Sequence, residues 1–200
     1  MKIKSAEFEI SAADLKSCPN WQLPEFAFIG RSNVGKSSII NMLTERRALA
    51  MASSVPGKTK LINFFRINTN WAMVDLPGYG YARVATQDKH EFNTAVAAYI
   101  EKRTVLACVF VLIDSRLEPQ SIDLDFLRWL TGCDVEFALV FTKTDKQSAS
   151  QTGAAVDAFL DAVADFVSEP PPVFISSAIT KAGRKEILAH IAATLAARKA

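Results

Sequence analysis

Residues 26–37 read FAFIGRSNVGKS, and this stretch decides the fold. The apolar run over residues 26–30 predicts a buried strand, and the residues after Ser37, SIINML, favour a helix. Between them, residues 30–37 match the pattern G-x-x-x-x-G-K-S/T in the strand-to-helix context that this motif requires. The glycines let successive backbone N–H groups wrap around phosphates, and the start of the helix adds partial positive charge. We therefore predict a phosphate-binding loop rather than an incidental glycine turn.

Short apolar runs alternate with amphipathic helical patterns along the rest of the chain. Four runs have the near-continuous apolar character of strands that are buried on both faces of a parallel sheet. These runs are residues 26–30, 105–114, 135–141 and 173–176. LINFFRIN (61–68) and WAMVD (71–75) predict a hairpin that turns at Thr69-Asn70. The sequence thus predicts an α/β fold in three layers, with a mostly parallel six-stranded sheet, one antiparallel edge strand, and ligands at the carboxyl ends of the strands.

Length and composition indicate one globular domain. The chain has 200 residues, of which 50% are hydrophobic and 22% are charged. We expect residues 1–22 to form an N-terminal extension that packs on a core of residues 23–200. The formal net charge of +2 does not call for a nucleic-acid partner, although a local basic patch is compatible with it.

The sequence favours the cytoplasm as the location of the protein. No uninterrupted apolar stretch is long enough to cross a bilayer, and the first ten residues, MKIKSAEFEI, carry charges where a signal peptide is apolar. Cys18, Cys108 and Cys133 lack paired spacing, which fits a reducing compartment. We expect no membrane partner. Because the sheet accounts for the amphipathic helix faces, we also expect a monomer.

The segment TKTD at residues 142–145 follows a predicted strand and fits the pattern N/T-K-x-D. The carboxylate of Asp145 can accept hydrogen bonds from N1–H and the exocyclic amine of guanine, whereas adenine has no N1 donor and would leave the carboxylate unpaired. Lys143 can lay its aliphatic stem over the base. The segment SSA at residues 176–178 follows the last strand, where a backbone N–H would approach the guanine O6. Its less specific alternative is a serine-rich helix cap.

Two further segments have the character of switches that sense a terminal phosphate. Residues 46–60 contain Pro56-Gly57 and read as a loop, with Thr59 just before a strand. A threonine here would ligate Mg²⁺ only while the γ-phosphate is present. In VDLPGYGY (74–81), Asp75 would hold the metal through a water, and the Gly78 N–H would bond the γ-phosphate.

These motifs, in this order, resemble the EngB family of bacterial GTP-binding proteins. The resemblance rests on FIGRSNVGKSSIIN, PGKTKLINFF, VDLPGYGYA, TKTDK and SSA, and it runs from just before Gly30 to the terminal helix. TKTD replaces the commoner Thr-Lys-Ala-Asp, and SSA replaces a commoner Ser-Ser followed by a larger residue, but neither change removes a ligand. The resemblance implies a P-loop GTPase (G domain) that helps to assemble the large ribosomal subunit, with a family-level link to cell division and septation.

The expected nucleotide-binding residues are Gly30, Arg31, Ser32, Asn33, Val34, Gly35, Lys36, Ser37, Ser38, Gly57, Lys58, Thr59, Asp75, Leu76, Pro77, Gly78, Thr142, Lys143, Thr144, Asp145, Ser176, Ser177 and Ala178. The expected Mg²⁺ ligands are Ser37 and Thr59, with Asp75 acting through a water. The expected catalytic residues are Lys36, Thr59 and Gly78. The resemblance adds Asn33, because an asparagine at this place helps several GTPases to hold K⁺ beside the phosphates.

Tyr79 occupies the position at which signalling GTPases carry a water-orienting glutamine. A phenol is a poor base at neutral pH, so we predict slow intrinsic hydrolysis of GTP, stimulated by rRNA, a ribosomal protein or a cation. A GTP-gated binding module, or a division adaptor without a ribosomal partner, stays open as an alternative. Basic residues near the switches could contact rRNA phosphates or form a solvated surface. They are Arg31, Arg46, Arg47, Lys58, Lys60 and Arg83.

Overall fold

The structure is a computed structural model that describes residues 1–50, 61–79 and 86–198, with side chains described from residue 94 onward in the third of these ranges. The strands are β1 (Ala6–Ala12), β2 (Glu25–Gly30), β3 (Ile62–Ile67), β4 (Trp71–Asp75), β5 (Leu106–Asp114), β6 (Phe137–Thr142) and β7 (Val173–Ile175). The helices are α1 (Lys36–Thr44), α2 (Thr86–Lys102), α3 (Ser121–Leu130), α4 (Ala149–Val163) and α5 (Arg184–Ala197).

The strands form one sheet in the order β1-β3-β4-β2-β5-β6-β7. Strand β3 is antiparallel to both of its neighbours, and every pair from β4 to β7 is parallel. The three-layer α/β class is confirmed. Two details differ from the prediction, because the sheet has seven strands and the antiparallel strand β3 is not at its edge.

The additional strand is β1, which lies within the expected N-terminal extension and pairs outside β3. Only its end residues, Ala6 and Ala12, are buried, so no apolar run marks it in the sequence. Side chains secure this pairing at both ends. Ser11 Oγ donates to Asn63 Oδ1 at 2.6 Å, and Asn68 Oδ1 accepts from the backbone N–H groups of Lys4 and Ser5.

The hairpin between β3 and β4 turns one residue earlier than predicted. Asn68 and Thr69 have φ values of 47° and 61°, and the Asn70 N–H donates to the Ile67 carbonyl at 3.2 Å. Two successive positive φ values are typical of a type I′ turn, whose twist matches that of the flanking strands. The turn is therefore centred on Asn68-Thr69 rather than on Thr69-Asn70.

Each face of the sheet carries its own apolar core. Along β2, Phe26 and Phe28 pack towards α1 and α5, whereas Ala27 and Ile29 pack towards α2, α3 and α4. The Phe28 ring stacks on Phe110 of β5 at 4.9 Å. Burial on both faces fixes the central strands, so their carboxyl ends form a firm edge for the motif loops. None of the helices in the described ranges combines the length and apolar character needed to cross a membrane.

Candidate functional site

The first motif forms a tight loop between β2 and α1. Asn33 and Gly35 have φ values of 65° and 102°, a left-handed region that glycine adopts without strain. Val34 is buried between them and anchors the loop to the core. Helix α1 begins directly at Lys36, so its N-terminal N–H groups face the loop. Ser32, Ser37 and the exposed Ser38 complete the segment. Such a loop can present several backbone donors to one anion.

Lys36 is ion-paired with Asp75, which ends β4. Their side chains are 12% and 5% exposed, so both charges are largely removed from water. The pair joins the first motif to the Asp-x-x-Gly segment at the same edge of the sheet. A buried pair of this kind is costly to break by removing one partner, because the other charge is left uncompensated.

The segment after Asp75 packs directly against the loop that begins at Gly30. Leu76 and Pro77 are buried, and the Leu76 N–H donates to the Phe28 carbonyl at 3.0 Å. A Cβ atom at Gly78 would lie 2.7 Å from the Gly30 carbonyl oxygen, so only glycine fits there without displacing backbone. The Gly78 peptide is therefore in direct contact with the first loop.

Tyr79 packs inward rather than towards the phosphate side of the edge. It is buried, its ring stacks on Phe126 of α3 at 4.5 Å, and its hydroxyl donates to Asp123 Oδ1 at 2.9 Å. Arg31 Nε lies 3.1 Å from Asp123 Oδ2, as an ion pair rather than a directed hydrogen bond. Burial raises the pKa of Tyr79 well above its ordinary value, and burial also raises the pKa of Asp123 against the opposing charge of Arg31.

Sequence reasoning missed Asp123, although a signal was present. Asp123, Leu127 and Leu130 are the buried residues of α3, so the carboxylate occupies a core-facing position of an amphipathic helix. A charged residue in an apolar stripe needs a partner. The sequence did not indicate which residue would supply that partner.

The TKTD segment is tied to the first loop through two side chains. Thr142 Oγ1 donates to the Val34 carbonyl at 2.7 Å from a fully buried position. Lys143 has a φ of 60° and donates through Nζ to the Asn33 carbonyl at 2.6 Å. The same Nζ donates to Asp114 Oδ2 at 2.8 Å. These contacts fix the ends of β2 and β6 relative to each other.

Asp114, the last residue of β5, is a second residue that sequence reasoning missed. Arg116 donates to its two oxygens through Nε at 2.9 Å and through a terminal nitrogen at 2.8 Å. Burial would raise the pKa of Asp114, but the hydrogen bonds from Arg116 and Lys143 outweigh it and lower the pKa to about 2. The signal was a carboxylate directly after a buried strand, the same position that Asp75 has on β4.

Asp145 and the SSA segment lie side by side. Ser177 Oγ donates to Asp145 Oδ1 at 2.6 Å, and this bond lowers the pKa of Asp145. Thr144 Oγ1 donates to the Ser176 carbonyl at 3.2 Å, while Ser176 Oγ donates to the Ala182 carbonyl at 3.0 Å. The two motifs are thus in direct contact, and the half-buried Ala178 follows Ser177 in the same loop.

Several predicted residues lie outside the described ranges, among them every first-switch residue expected to contact the nucleotide. They are Gly57, Lys58, Thr59, Lys60 and Arg83. Of the other basic residues, Arg31 forms an ion pair with Asp123, whereas Arg46 and Arg47 are exposed. Within the part of the chain that the structure describes, no group of three or more His, Cys, Asp or Glu side chains could hold a metal ion.

Comparison with protein families and curated proteins gives consistent matches. A family model described as "50S ribosome-binding GTPase" matches residues 25–143. A protein of Bacteroides thetaiotaomicron described as "Probable GTP-binding protein EngB" is 52% identical over 191 residues, covering 96% of this chain and 95% of the relative. A protein of Christiangramia forsetii with the same description is 50% identical over 191 residues and covers 96% of both chains.

Solved structures show the same fold at low sequence identity. The crystal structure of a probable GTP-binding protein EngB matches with a TM-score of 0.71 at 20% identity, covering 86% of this chain and 98% of that chain. Elongation factor SelB from Methanococcus maripaludis, in complex with the GTP analogue GppNHp, matches with a TM-score of 0.63 at 16% identity, covering 89% of this chain and 35% of that chain.

Proposed function

The chain belongs to the EngB family of GTP-binding proteins, and from this premise we propose that it is a slow GTPase that acts as a nucleotide-dependent switch in large ribosomal subunit assembly. One observation carries the proposal. Lys143, from the motif that we expect to select guanine, donates to the carbonyl of Asn33 in the phosphate loop at 2.6 Å, so the expected base and phosphate sites adjoin at the same sheet edge.

On the phosphate side, the N–H groups of residues 31–37 would cradle the phosphates and Lys36 would reach the β and γ positions. Lys36 is ion-paired with Asp75, so binding would exchange a carboxylate partner for a phosphate partner. The Gly78 N–H would bond the γ-phosphate, a contact that its packing on Gly30 supports. Gly57, Lys58 and Thr59 would contribute the first switch.

Oxygen donors near Lys36 suit Mg²⁺, which prefers oxygen ligands and keeps several waters. Ser37 at the start of α1 and the buried carboxylate of Asp75 fit this preference, with Thr59 as the further ligand and Asp75 acting through a water. The ion would supply charge neutralisation on the transferring phosphate.

On the base side, Asp145 would accept from guanine N1–H and the exocyclic amine, and Lys143 would cover the base plane. Ser177 holds the carboxylate through a hydrogen bond to Oδ1 and keeps it ionised. Thr142 and Thr144 would support this contact without touching the base. Their hydroxyls donate to the Val34 and Ser176 carbonyls and so hold the segment in place.

The buried Tyr79 supports slow intrinsic hydrolysis. Tyr79 has no amide, and its hydroxyl donates to Asp123 on α3, so we do not expect it to replace the water-orienting glutamine of other GTPases. Stimulation would then come from the ribosomal partner or from K⁺ held near Asn33, a residue whose side chain is exposed. Comparing the rates of GTP turnover in K⁺ and in Na⁺ tests whether K⁺ stimulates hydrolysis. Equal rates would contradict a role for K⁺.

Large-subunit precursors, through rRNA and ribosomal proteins, are the proposed partners of a cytoplasmic monomer. The test is sedimentation of tagged protein in a cell lysate with GppNHp or with GDP. We expect co-migration with large-subunit particles in GppNHp only. Lys36→Ala, which should not hold the nucleotide, should stay at the top of the gradient in both. If the wild-type protein stays free in both gradients, the ribosomal role is contradicted, whereas the proposed GTP site is not affected by the result.

A GTP-gated binding module is the second candidate, and it includes an adaptor of the division machinery. The burial of Tyr79 favours it, because a chain without its own water-orienting group could use GTP to set its shape. Multiple-turnover rates with and without purified large-subunit particles separate the two functions. A rate that the particles increase supports the GTPase switch, and an unchanged rate supports the binding module.

A further inference from the structure

A polar cluster of the buried Asp123 and Tyr79 and the partly exposed Arg31 joins three elements next to the expected phosphate site. Arg31 belongs to the phosphate loop, Tyr79 directly follows the Asp-x-x-Gly segment, and Asp123 projects from α3. The backbones of Arg31 and Tyr79 also form a parallel bridge. One carboxylate therefore holds both the loop that would grip the phosphates and the residue that follows Gly78.

We propose that Asp123 is a positioning residue that latches Tyr79 onto α3 and thereby fixes the Gly78 N–H where it reads the γ-phosphate. The proposal deepens the proposed function and rests on it. Gly78 is held on one side by its contact with Gly30 and on the other by the anchored Tyr79. Without the hydroxyl bond, the peptide that would sense the γ-phosphate keeps its contact with Gly30, and Tyr79 keeps its backbone bridge to Arg31 and its stacking on Phe126, but the side-chain anchor to α3 is lost.

The latch has the features of a specific contact. Asp123 is 1% exposed and accepts the Tyr79 hydroxyl at 2.9 Å, so removing the donor leaves a buried carboxylate oxygen unsatisfied. The Tyr79 ring keeps its stacking on Phe126 whether or not the hydroxyl is present. Removing only the hydroxyl therefore tests the hydrogen bond to Asp123 while the ring packing is kept.

The latch should affect GTP and GDP differently, because GDP has no γ-phosphate for Gly78 to read. For Tyr79→Phe we expect affinity for GppNHp, measured with Mg²⁺ present, to fall about fivefold to tenfold. Affinity for GDP should stay within about twofold, since Tyr79→Phe leaves the Arg31–Asp123 ion pair and the base site in place. The ratio of the two affinities is the readout, and a loss of overall stability would not change it.

The chain contains a matched control at the opposite end of β2. Glu25 is buried there and accepts from the Tyr99 hydroxyl at 2.7 Å and from Arg103. Tyr99→Phe deletes the same atom from the same kind of cluster, but far from the phosphate loop. We expect it to lower stability as Tyr79→Phe does and to leave the GppNHp-to-GDP affinity ratio within about twofold of wild type.

Asp123→Asn and Asp123→Ala complete the test. The asparagine keeps an oxygen that can accept from Tyr79, so the ratio should stay within about threefold of wild type, whereas alanine should lower it at least as much as Tyr79→Phe. An unchanged ratio in Tyr79→Phe, or equal changes in Tyr79→Phe and Tyr99→Phe, would overturn the latch while GDP binding upholds the nucleotide site. Failure of the wild type to bind either nucleotide would remove both the proposed function and the latch.

Discussion

Asp75 and Asp114 end the two strands that flank β2 in the sheet, and each is paired with a lysine from a predicted nucleotide motif. Asp75 ends β4 and pairs with Lys36, whereas Asp114 ends β5 and pairs with Lys143. Asp114 is also clamped by two hydrogen bonds from Arg116, and Lys143 bonds the Asn33 carbonyl as well. The second pair is thus part of a network, and its lysine reaches the phosphate loop.

The difference indicates which half of the site rearranges. In the proposed function, Lys36 would bind a phosphate and Asp75 would bind a metal-bound water, so we expect their mutual ion pair to open on binding. Lys143 would use its aliphatic stem for the base and keeps Nζ on Asp114 and Asn33. The base side is therefore preorganised, which reduces the cost of ordering it on binding. On the phosphate side, by contrast, we expect an exchange of partners.

Lys36→Ala should have the largest effect, because it removes the charge on the exchanging side. We expect affinity for GDP to fall about 100-fold or more, since charge-assisted bonds to phosphate are among the strongest polar contacts. Calorimetric titration with GDP measures it. Lys185→Ala, an exposed position on α5, is the control and should bind as wild type does. A loss of less than about tenfold would contradict an exchange of Asp75 for phosphate.

Asp145→Asn tests the preorganised side. We expect GDP affinity to fall about tenfold to 100-fold and xanthosine diphosphate affinity to rise, because an amide can donate to the carbonyl that xanthine carries in place of the guanine amine. Competition between the two nucleotides against a fluorescent GDP measures both. Asp161→Asn, exposed on α4, should leave the preference for guanine unchanged. Equal losses for both nucleotides would argue against base recognition by Asp145.

Asp114→Asn should show a smaller effect, on stability rather than on nucleotide choice. The pKa of Asp114 is lowered from 3.8 to about 2, so its ionised form stabilises the fold fully above about pH 4 and progressively less as pH falls through 2. The substitution should lower the free energy of unfolding at pH 7 by about 2 kcal/mol. At pH 3 the difference from wild type should be about 1 kcal/mol smaller.

Urea unfolding without nucleotide, at pH 7 and pH 3, measures both values for Asp114→Asn. The control is Asp125→Asn on α3, where the carboxylate is 73% exposed and lies 3.4 Å from Arg128. An exposed pair contributes little, so we expect a change within about 0.5 kcal/mol at either pH. A difference for Asp114→Asn that is the same at both pH values would show that the ionised carboxylate is not the source of the stability.

Much of the fold was predictable because its signals are local. Buried parallel strands such as β5 are continuous apolar runs, and the motif residues follow them directly, so the α/β class and the edge of the sheet were accessible from the sequence. Strand β1 was not, since it is held by pairing to β3 and not by burial of an apolar run. The centre of the β3–β4 turn also depended on backbone angles at Asn68 and Thr69, which the letters TN did not indicate.

The motif residues were predictable for the same reason, and their partners were not. Spacing along the chain predicts roles for Lys36, Lys143 and Asp145 from the chemistry of a lysine or carboxylate that follows a strand. It cannot state that Tyr79 turns inward to a carboxylate 44 residues later, or that Lys143 reaches Asn33. Such pairs depend on the rotation of α3 and on the order of the strands.

For this protein, sequence alone was sufficient to determine the α/β class and to predict a phosphate loop, a guanine motif and Tyr79 in place of the usual glutamine, because each depends on residue type and short-range spacing. The partners of Lys36, Lys143 and Tyr79 emerged only once the sheet was assembled, because each pair joins residues distant in the chain. Burial makes these pairings necessary, since a charged or hydroxyl group removed from water needs a partner within hydrogen-bond distance.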